Sequence, residues 1–312
     1  MNKYTIGSTY RKVSIDTATE MIPQHPAFKA FPGEKYSFLE REGNVSFFHV
    51  TNAVETGVIT EQDKVILSLV ATFGSACMTT KALKELLTMM GISFSANTLE
   101  SSLTRLHRYH LVNFSRFYFE NCKPANLRII TLTNYGSRLA RSLGIYHSFN
   151  PLAAAAAEPY EAKSRAQTTH LICNYLKNRI VDEFEVRPVI VVDPTNHKIV
   201  RPAASMRILG EKLYFEVPRR HEGWLENLLD KLRRYMLVFE GQPSPTVVIN
   251  GEDEKMNREI AAYLRRHAIP LEILYTDDLA MFGEKFNRSI YDFGDDGNKQ
   301  CYELVLQDPS AA

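Results

Sequence analysis

Between Ala96 and Tyr109 the chain carries Asn97, Thr98, Ser101, Ser102, Arg105 and Arg108, amide, hydroxyl and guanidinium groups three and four residues apart. That spacing gathers them along one side of a helix, and Leu99, Leu103 and Leu106 form an apolar stripe on the other. A face of this kind can donate hydrogen bonds to base edges in a DNA major groove, where arginine pairs with guanine and Ser or Thr adapts to several partners. Its remaining cations suit phosphates, contacts that position a protein on a duplex without specifying sequence. Arg116, Lys123 and Arg128 follow within thirty residues and could reach the backbone or the minor groove. The chemistry is reversible recognition of a polyanion. A solvated helix of a protein-binding module shows the same pattern, so the residue types alone leave both partners open.

The elements that must hold this face are marked by caps and stops. Thr60 precedes Glu61, Gln62 and Asp63, an N-cap with an acidic first turn, and Val65, Ile66, Leu69, Val70 and Phe73 recur at helical spacing before Gly74. Thr79 or Thr80 caps a second helix carrying Leu83, Leu86, Leu87 and Met90, closed by Gly91. A short turn over Ile92–Ser95 leads into the polar helix. Residues 111–119 and 127–132 read as two strands, and Thr133 starts a fourth helix ending at Leu143-Gly144. Three helices followed by a hairpin predict a winged helix-turn-helix over 60–143, with double-stranded DNA as the expected partner. This stretch holds ten Lys and Arg against five Asp and Glu, whereas 241–312 holds seven against thirteen; the whole chain has a net charge of +1. The basic part suits a polyanion.

The rest is read more coarsely. Residues 1–59 form an N-terminal extension in which Pro23, Pro26 and Pro32 break any long helix, and residues 37–50 suggest a hairpin turning at Glu42-Gly43-Asn44. Residues 144–160, with five consecutive alanines between Pro151 and Pro159, are expected to be a linker. From 161 to 280 a helix over 163–180, a strand over 182–192, paired strands over 199–209 and 212–217 turning at Gly210-Glu211, a helix over 224–239, a strand over 246–250, a helix over 253–267 and a strand over 271–275 alternate. The expected fold class is therefore α+β, a winged helix-turn-helix followed by an α/β layered domain, and 281–312 is expected to be a flexible acidic tail. Asp292–Gly297 is a poor match to a calcium loop, lacking the twelfth-position glutamate.

No run approaches the roughly 18–20 apolar residues of a membrane span, and the first residues have no apolar signal-peptide core. Four scattered cysteines without a CxxC suit a reducing cytoplasm and give no zinc site. No cofactor is expected.

Three motifs of the second domain carry a family likeness: Arg201-Pro202, Phe215-Glu216-Val217 and Lys231-Leu232-Arg233-Arg234-Tyr235. With the preceding helices and hairpin, residues 60–275 resemble the replication-relaxation proteins of plasmids and integrative or conjugative elements, whose second domain is similar to the restriction-endonuclease-like (PD-(D/E)xK) fold. The resemblance implies a site made of an acid, a second acid and a lysine two residues on, holding Mg²⁺ and activating water. Here Ala203 stands at the first position, Glu216 at the second and Pro218 at the third. Alanine has no ligand atom and proline no charge, so the likeness implies a vestigial, non-catalytic domain and an accessory at an origin of replication or transfer. Its implied partners are a relaxase or replication enzyme, a second DNA segment, or a second copy of the chain. Two alternatives stay open. One is a Mg²⁺-dependent endonuclease with migrated residues, Lys231 as the amine and Asp193 or Glu185 as acids; the other is a winged-helix transcription regulator.

Overall fold

A computed structural model describes residues 10–13, 28–31, 33–38, 44–73, 77–118, 128–147, 149–150, 154, 156–193, 198–283 and 286–304. The fold is α+β, and the chain divides into two compact units: Ala30–Cys173, and Met1–Lys29 with Asn174–Ala312. The division differs from the segmentation expected at 60, 144 and 161. It falls inside a helix, and the chain's first residues group with its last.

In the unit Ala30–Cys173, helices α1 (Phe47–Glu55), α2 (Glu61–Thr72), α3 (Thr80–Met89), α4 (Ala96–Arg108) and α5 (Asn134–Ser142) accompany strands β2 (Lys35–Phe38), β3 (Met78–Thr79), β4 (Val112–Tyr118) and β5 (Arg128–Leu132). The helices start where side chains can accept the free backbone N–H groups of a first turn. Thr60 and Asp63 form a reciprocal capping box on α2, and Thr79, Ser95 and Thr133 each accept from the residue three further on. The strands pair antiparallel in the order β2-β4-β5-β3. Ile66, Leu67, Val70, Leu83, Leu87, Leu99, Leu103 and Leu106 are buried together with Ile130 and Leu132 of β5. At Gly136 a Cβ would lie 1.9 Å from the Leu111 carbonyl oxygen, so glycine is what lets α5 approach the start of β4.

Three expectations for this part change. The second arm of the hairpin expected near Glu42-Gly43-Asn44 is helix α1, capped by Ser46; residues 39–43 lie outside the described residues, as does Gly74. The expected linker is not an exposed tether throughout, because Phe149 and Ala154 are buried. Helix α6 (Pro159–Lys177) begins four residues earlier than expected, with proline in its first turn, where a missing N–H costs nothing.

The other unit holds, among the described residues, an eight-stranded sheet: β1 (Tyr10–Val13), β14 (Lys299–Leu304), β13 (Ile290–Phe293), β12 (Glu272–Asp277), β11 (Thr246–Gly251), β10 (Glu211–Glu216), β9 (Ala204–Ile208) and β6 (Val181–Val186), in that order. Strands β10, β11 and β12 are parallel and the other pairs antiparallel. Crossover helices α7 (Trp224–Val238) and α8 (Glu254–Arg266) join the parallel strands, as parallel pairing requires. Leu228, Leu232 and Tyr235 of α7 and Ile260 and Leu264 of α8 pack with Val247, Ile249 and Tyr275 of the sheet. The β9–β10 hairpin turns at Leu209-Gly210, one residue before the expected Gly210-Glu211. Both residues have positive φ, 50° and 87°, which matches the twist of the flanking strands.

The expected strand over 182–192 is broken at Arg187-Pro188. Its second part, β7 (Ile190–Asp193), pairs with β8 (Lys198–Val200) in a separate hairpin. The expected flexible tail is also corrected. Residues 290–304 form two strands of the large sheet, with Ile290, Tyr291 and Cys301 buried, and the Asp292–Gly297 stretch lies at their hairpin turn. Residues 305–312 lie outside the described residues. Among the described residues no helix is long and apolar enough to cross a membrane.

Candidate nucleic-acid interface

Helix α4 is held from behind. Leu99, Leu103 and Leu106 are buried, and His107 stacks on Phe114 of β4 with ring centroids 4.5 Å apart. That anchoring leaves Asn97, Thr98, Ser101, Thr104 and Arg108 exposed. Asn97, Ser101, Thr104, Arg105 and Arg108 line an open groove of about 650 Å³ together with Val58 from the loop before α2. Thr98 is half committed to the helix cap, its hydroxyl 2.7 Å from that of Ser95. Arg116 is exposed on β4.

Three residues expected to contact DNA, two on this helix and one on the wing, are occupied elsewhere. Ser102 is 1% exposed and sits beside the buried Asp63 carboxylate, because position 102 falls on the same side as Leu99 and Leu106. Arg105 binds that carboxylate in two places, Nε to Oδ2 at 2.7 Å and Nη2 to Oδ1 at 3.2 Å, so it ties α4 to the capping box of α2. Burial alone would push the Asp63 carboxyl up, but bonds from Arg105 and Thr60 outweigh it and hold it below the usual carboxylate range. Arg128 forks onto Glu100, Nη1 to Oε1 and Nη2 to Oε2 both at 2.7 Å, and donates to the Thr80 hydroxyl at 3.1 Å. Lys123 lies outside the described residues.

The sequence reading missed Thr104 and Glu100. Thr104 had a signal, since 97, 101, 104 and 108 repeat at three and four residues. Glu100 had none, because its partner is 28 residues away on another element.

The second locus centres on Glu216 at the end of β10. Its side chain is nearly buried; Oε2 accepts from Lys231 Nζ at 2.5 Å and Oε1 from the Tyr235 hydroxyl at 2.8 Å, both donors on α7. Burial raises the Glu216 carboxyl above its ordinary range, and Lys231 and Tyr235 offset part of that rise. Ala203 donates its N–H to the Phe215 carbonyl at 2.9 Å, which sets it alongside Glu216 on the neighbouring strand. Pro218 is half-buried. Lys231 therefore does meet the acid, as the migrated-residue alternative required. Glu185 is engaged elsewhere, with the Ser205 hydroxyl at 2.9 Å and Lys212 at 3.7 Å.

A Mg²⁺ ion does not fit this donor set. The buried Glu216 carboxylate already holds the Lys231 ammonium, which would repel a second cation, Ala203 has no ligand atom, and among the described residues no three His, Cys, Asp or Glu side chains converge as metal ligands.

The basic clusters of this unit are mostly committed. The Arg219 side chain is fully buried, bound to both oxygens of Asp278 at 2.9 and 3.1 Å and to the carbonyls of Pro218 and Asn250. Arg220 lies 3.2 Å from Glu259, and Arg233 3.2 Å from Asp230. Arg219 cannot reach a phosphate. Comparison with protein-family models, with curated proteins and with solved structures finds no match for this chain.

Proposed function

We propose that residues 60–143 act as a winged helix-turn-helix that binds double-stranded DNA through α4, with β4 and β5 as the wing. One observation carries the reading: a stripe of Asn97, Ser101, Thr104 and Arg108 stands exposed along a helix whose opposite stripe is anchored in the core. A helix held in that way can enter a major groove with its polar side chains directed at base edges. Arg116 and Arg108 are its phosphate cations; Arg105 serves the fold.

The large-sheet unit is read as a nuclease-like fold that does not cut. Supporting this are Ala203 and Pro218 at two functional positions and a Glu216 carboxylate whose oxygens are both bonded within the protein. A chain that binds DNA without cutting fits an accessory at an origin of plasmid or conjugative-element replication or transfer, one that positions a relaxase or replication enzyme.

Fluorescence anisotropy with labelled duplex DNA over a salt series tests the binding. Affinity should fall steeply with salt as counterions are released. Arg108→Ala should weaken binding to all sequences alike and flatten the slope of log K against log salt by about one. Salt-independent binding, or an Arg108→Ala slope equal to the wild type, would overturn the assignment of α4.

A further inference from the structure

The sole carboxylate of α4 is Glu100, and it lies in the groove lined by Asn97, Ser101, Thr104 and Arg108. An acid facing a polyanion is repelled unless a cation neutralises it. Here Arg128 does so from β5, with two bonds of 2.7 Å, one to each oxygen. Arg128 is itself fixed by the Thr80 hydroxyl at 3.1 Å and lies 4.6 Å over the Phe114 ring. Its side chain is 18% exposed and that of Glu100 is 53% exposed, so the acid stands forward and the cation behind it.

The fork pairs one acceptor position on each oxygen, and a carboxylate has about four, so outward-facing positions remain. The bonds from Arg128 hold the Glu100 carboxyl below its ordinary range. Glu100 is therefore a fixed, ionised group that accepts and cannot donate.

In the major groove guanine presents two acceptors, and thymine an acceptor and a methyl group. Adenine presents an amino donor between its own N7 and O4 of the paired thymine, and cytosine an amino donor with only O6 of the paired guanine beside it. A carboxylate gains a bond from the cytosine amino group and meets repulsion from guanine O6 and N7. Beside adenine it gains one bond against the N7 repulsion. Resting on the DNA-binding reading above, we infer that Glu100 is a specificity-determining residue that selects cytosine at one position of the bound site, with Arg128 as its positioning residue.

Selection of bound duplexes from a random-sequence library by the full chain tests this, with wild type, Glu100→Gln and Glu100→Ala run in parallel and their melting points measured. Wild type should favour cytosine at one position by about tenfold to a hundredfold. Glu100→Gln, which keeps an acceptor for Arg128, should move that preference to adenine, because an amide matches N6 and N7 together. Glu100→Ala should lose it.

A second measurement does not depend on how the variants fold. Cytosines of the selected site are replaced one at a time by 2-pyrimidinone opposite the unchanged guanine, which deletes the amino donor without adding a methyl group or changing the partner base, and wild type should lose about tenfold or more at a single position. A cytosine preference that persists in folded variants, no base preference anywhere in wild type, or no loss on any such replacement would overturn the inference. Capture of no duplex at all by wild type would instead sink the DNA-binding reading on which it rests.

Discussion

Arg105→Ala removes two charge-assisted bonds from a carboxylate that is itself fully buried. Breaking a wholly buried ion pair costs about 3–5 kcal/mol, chiefly because the surviving charge is left without a partner. Two features lower that ceiling. The Arg105 side chain is 33% exposed, so solvent screens part of the attraction. Asp63 also keeps the Thr60 N–H at 2.8 Å and the Thr60 hydroxyl at 2.9 Å. The expected loss is about 2–3 kcal/mol, in the range for hydrogen bonds to a charged group. For a unit of this size that lowers Tm by about 4–12 °C. Thermal unfolding followed by circular dichroism reads it directly. The pH dependence adds a second check. A carboxyl held low in the folded state adds stability above its unfolded value of about 3.9, and the gain is lost as pH falls through the folded value. The gap between wild type and Arg105→Ala should therefore be full at neutral pH and close as the pH drops below about 4. An unchanged Tm together with lost DNA affinity would refute this reasoning and return Arg105 to the reading face.

Two further outcomes follow from single contacts. Lys231→Ala leaves the buried Glu216 carboxylate with the Tyr235 hydroxyl and the more distant charge of Arg187, and should cost about 2–4 kcal/mol, somewhat under the fully buried limit because Lys231 is partly exposed; urea unfolding at neutral pH measures it. Because the Glu216 carboxyl is raised on folding, its contribution is full below its unfolded value near about 4.3 and declines as pH rises through the folded one. Glu216→Gln should remove that decline, and an identical pH profile in the variant would count against the buried placement. Gly136→Ala sets a Cβ 1.9 Å from the Leu111 carbonyl oxygen, so it should cost about 1–3 kcal/mol or more as α5 shifts, read as a lower Tm of the folded chain; a variant as stable as wild type would contradict the close approach.

What could be read from the chain beforehand follows the range of each interaction. Caps act over three residues, and Thr60, the pair Thr79 and Thr80, and Thr133 marked the starts of α2, α3 and α5 to within a residue, whereas Ser95, which caps α4, read only as the end of a turn. The apolar spacing of α4 named its buried stripe. The same wheel could have removed Ser102, which lies between Leu99 and Leu106 on that stripe, and added Thr104. Nothing local could have removed Arg105 or Arg128, because their acceptors lie 42 and 28 residues away. An unpaired arginine on a polar face and one bound to a buried aspartate have the same sequence. Residues 281–312 were misread for a related reason. Their charge dominated the reading, whereas Ile290, Tyr291 and Cys301 are buried in a sheet that also takes in Tyr10–Val13. Long-range pairing of that kind leaves alternation in each strand but no mark of the partner.

The Glu216 locus is accounted for by charge balance alone. A carboxylate buried at the end of β10 needs a counter-charge whatever its task. In the arrangement that the sequence likeness implies, a metal ion would supply that charge. In this chain an ammonium supplies it at 2.5 Å and a phenol fills the other oxygen at 2.8 Å. Both donors sit on α7, one turn apart, so the acid fixes that helix against β10. Substituting Ala203 by aspartate would set a second carboxylate beside Glu216, whose cations are Lys231 in contact and Arg187 nearby. The expected consequence is lost stability, since like charges sharing a buried site cannot both stay ionised. Within this sheet, Ala203 adds no second acid, so Lys231 in contact and Arg187 nearby have a single buried carboxylate to balance.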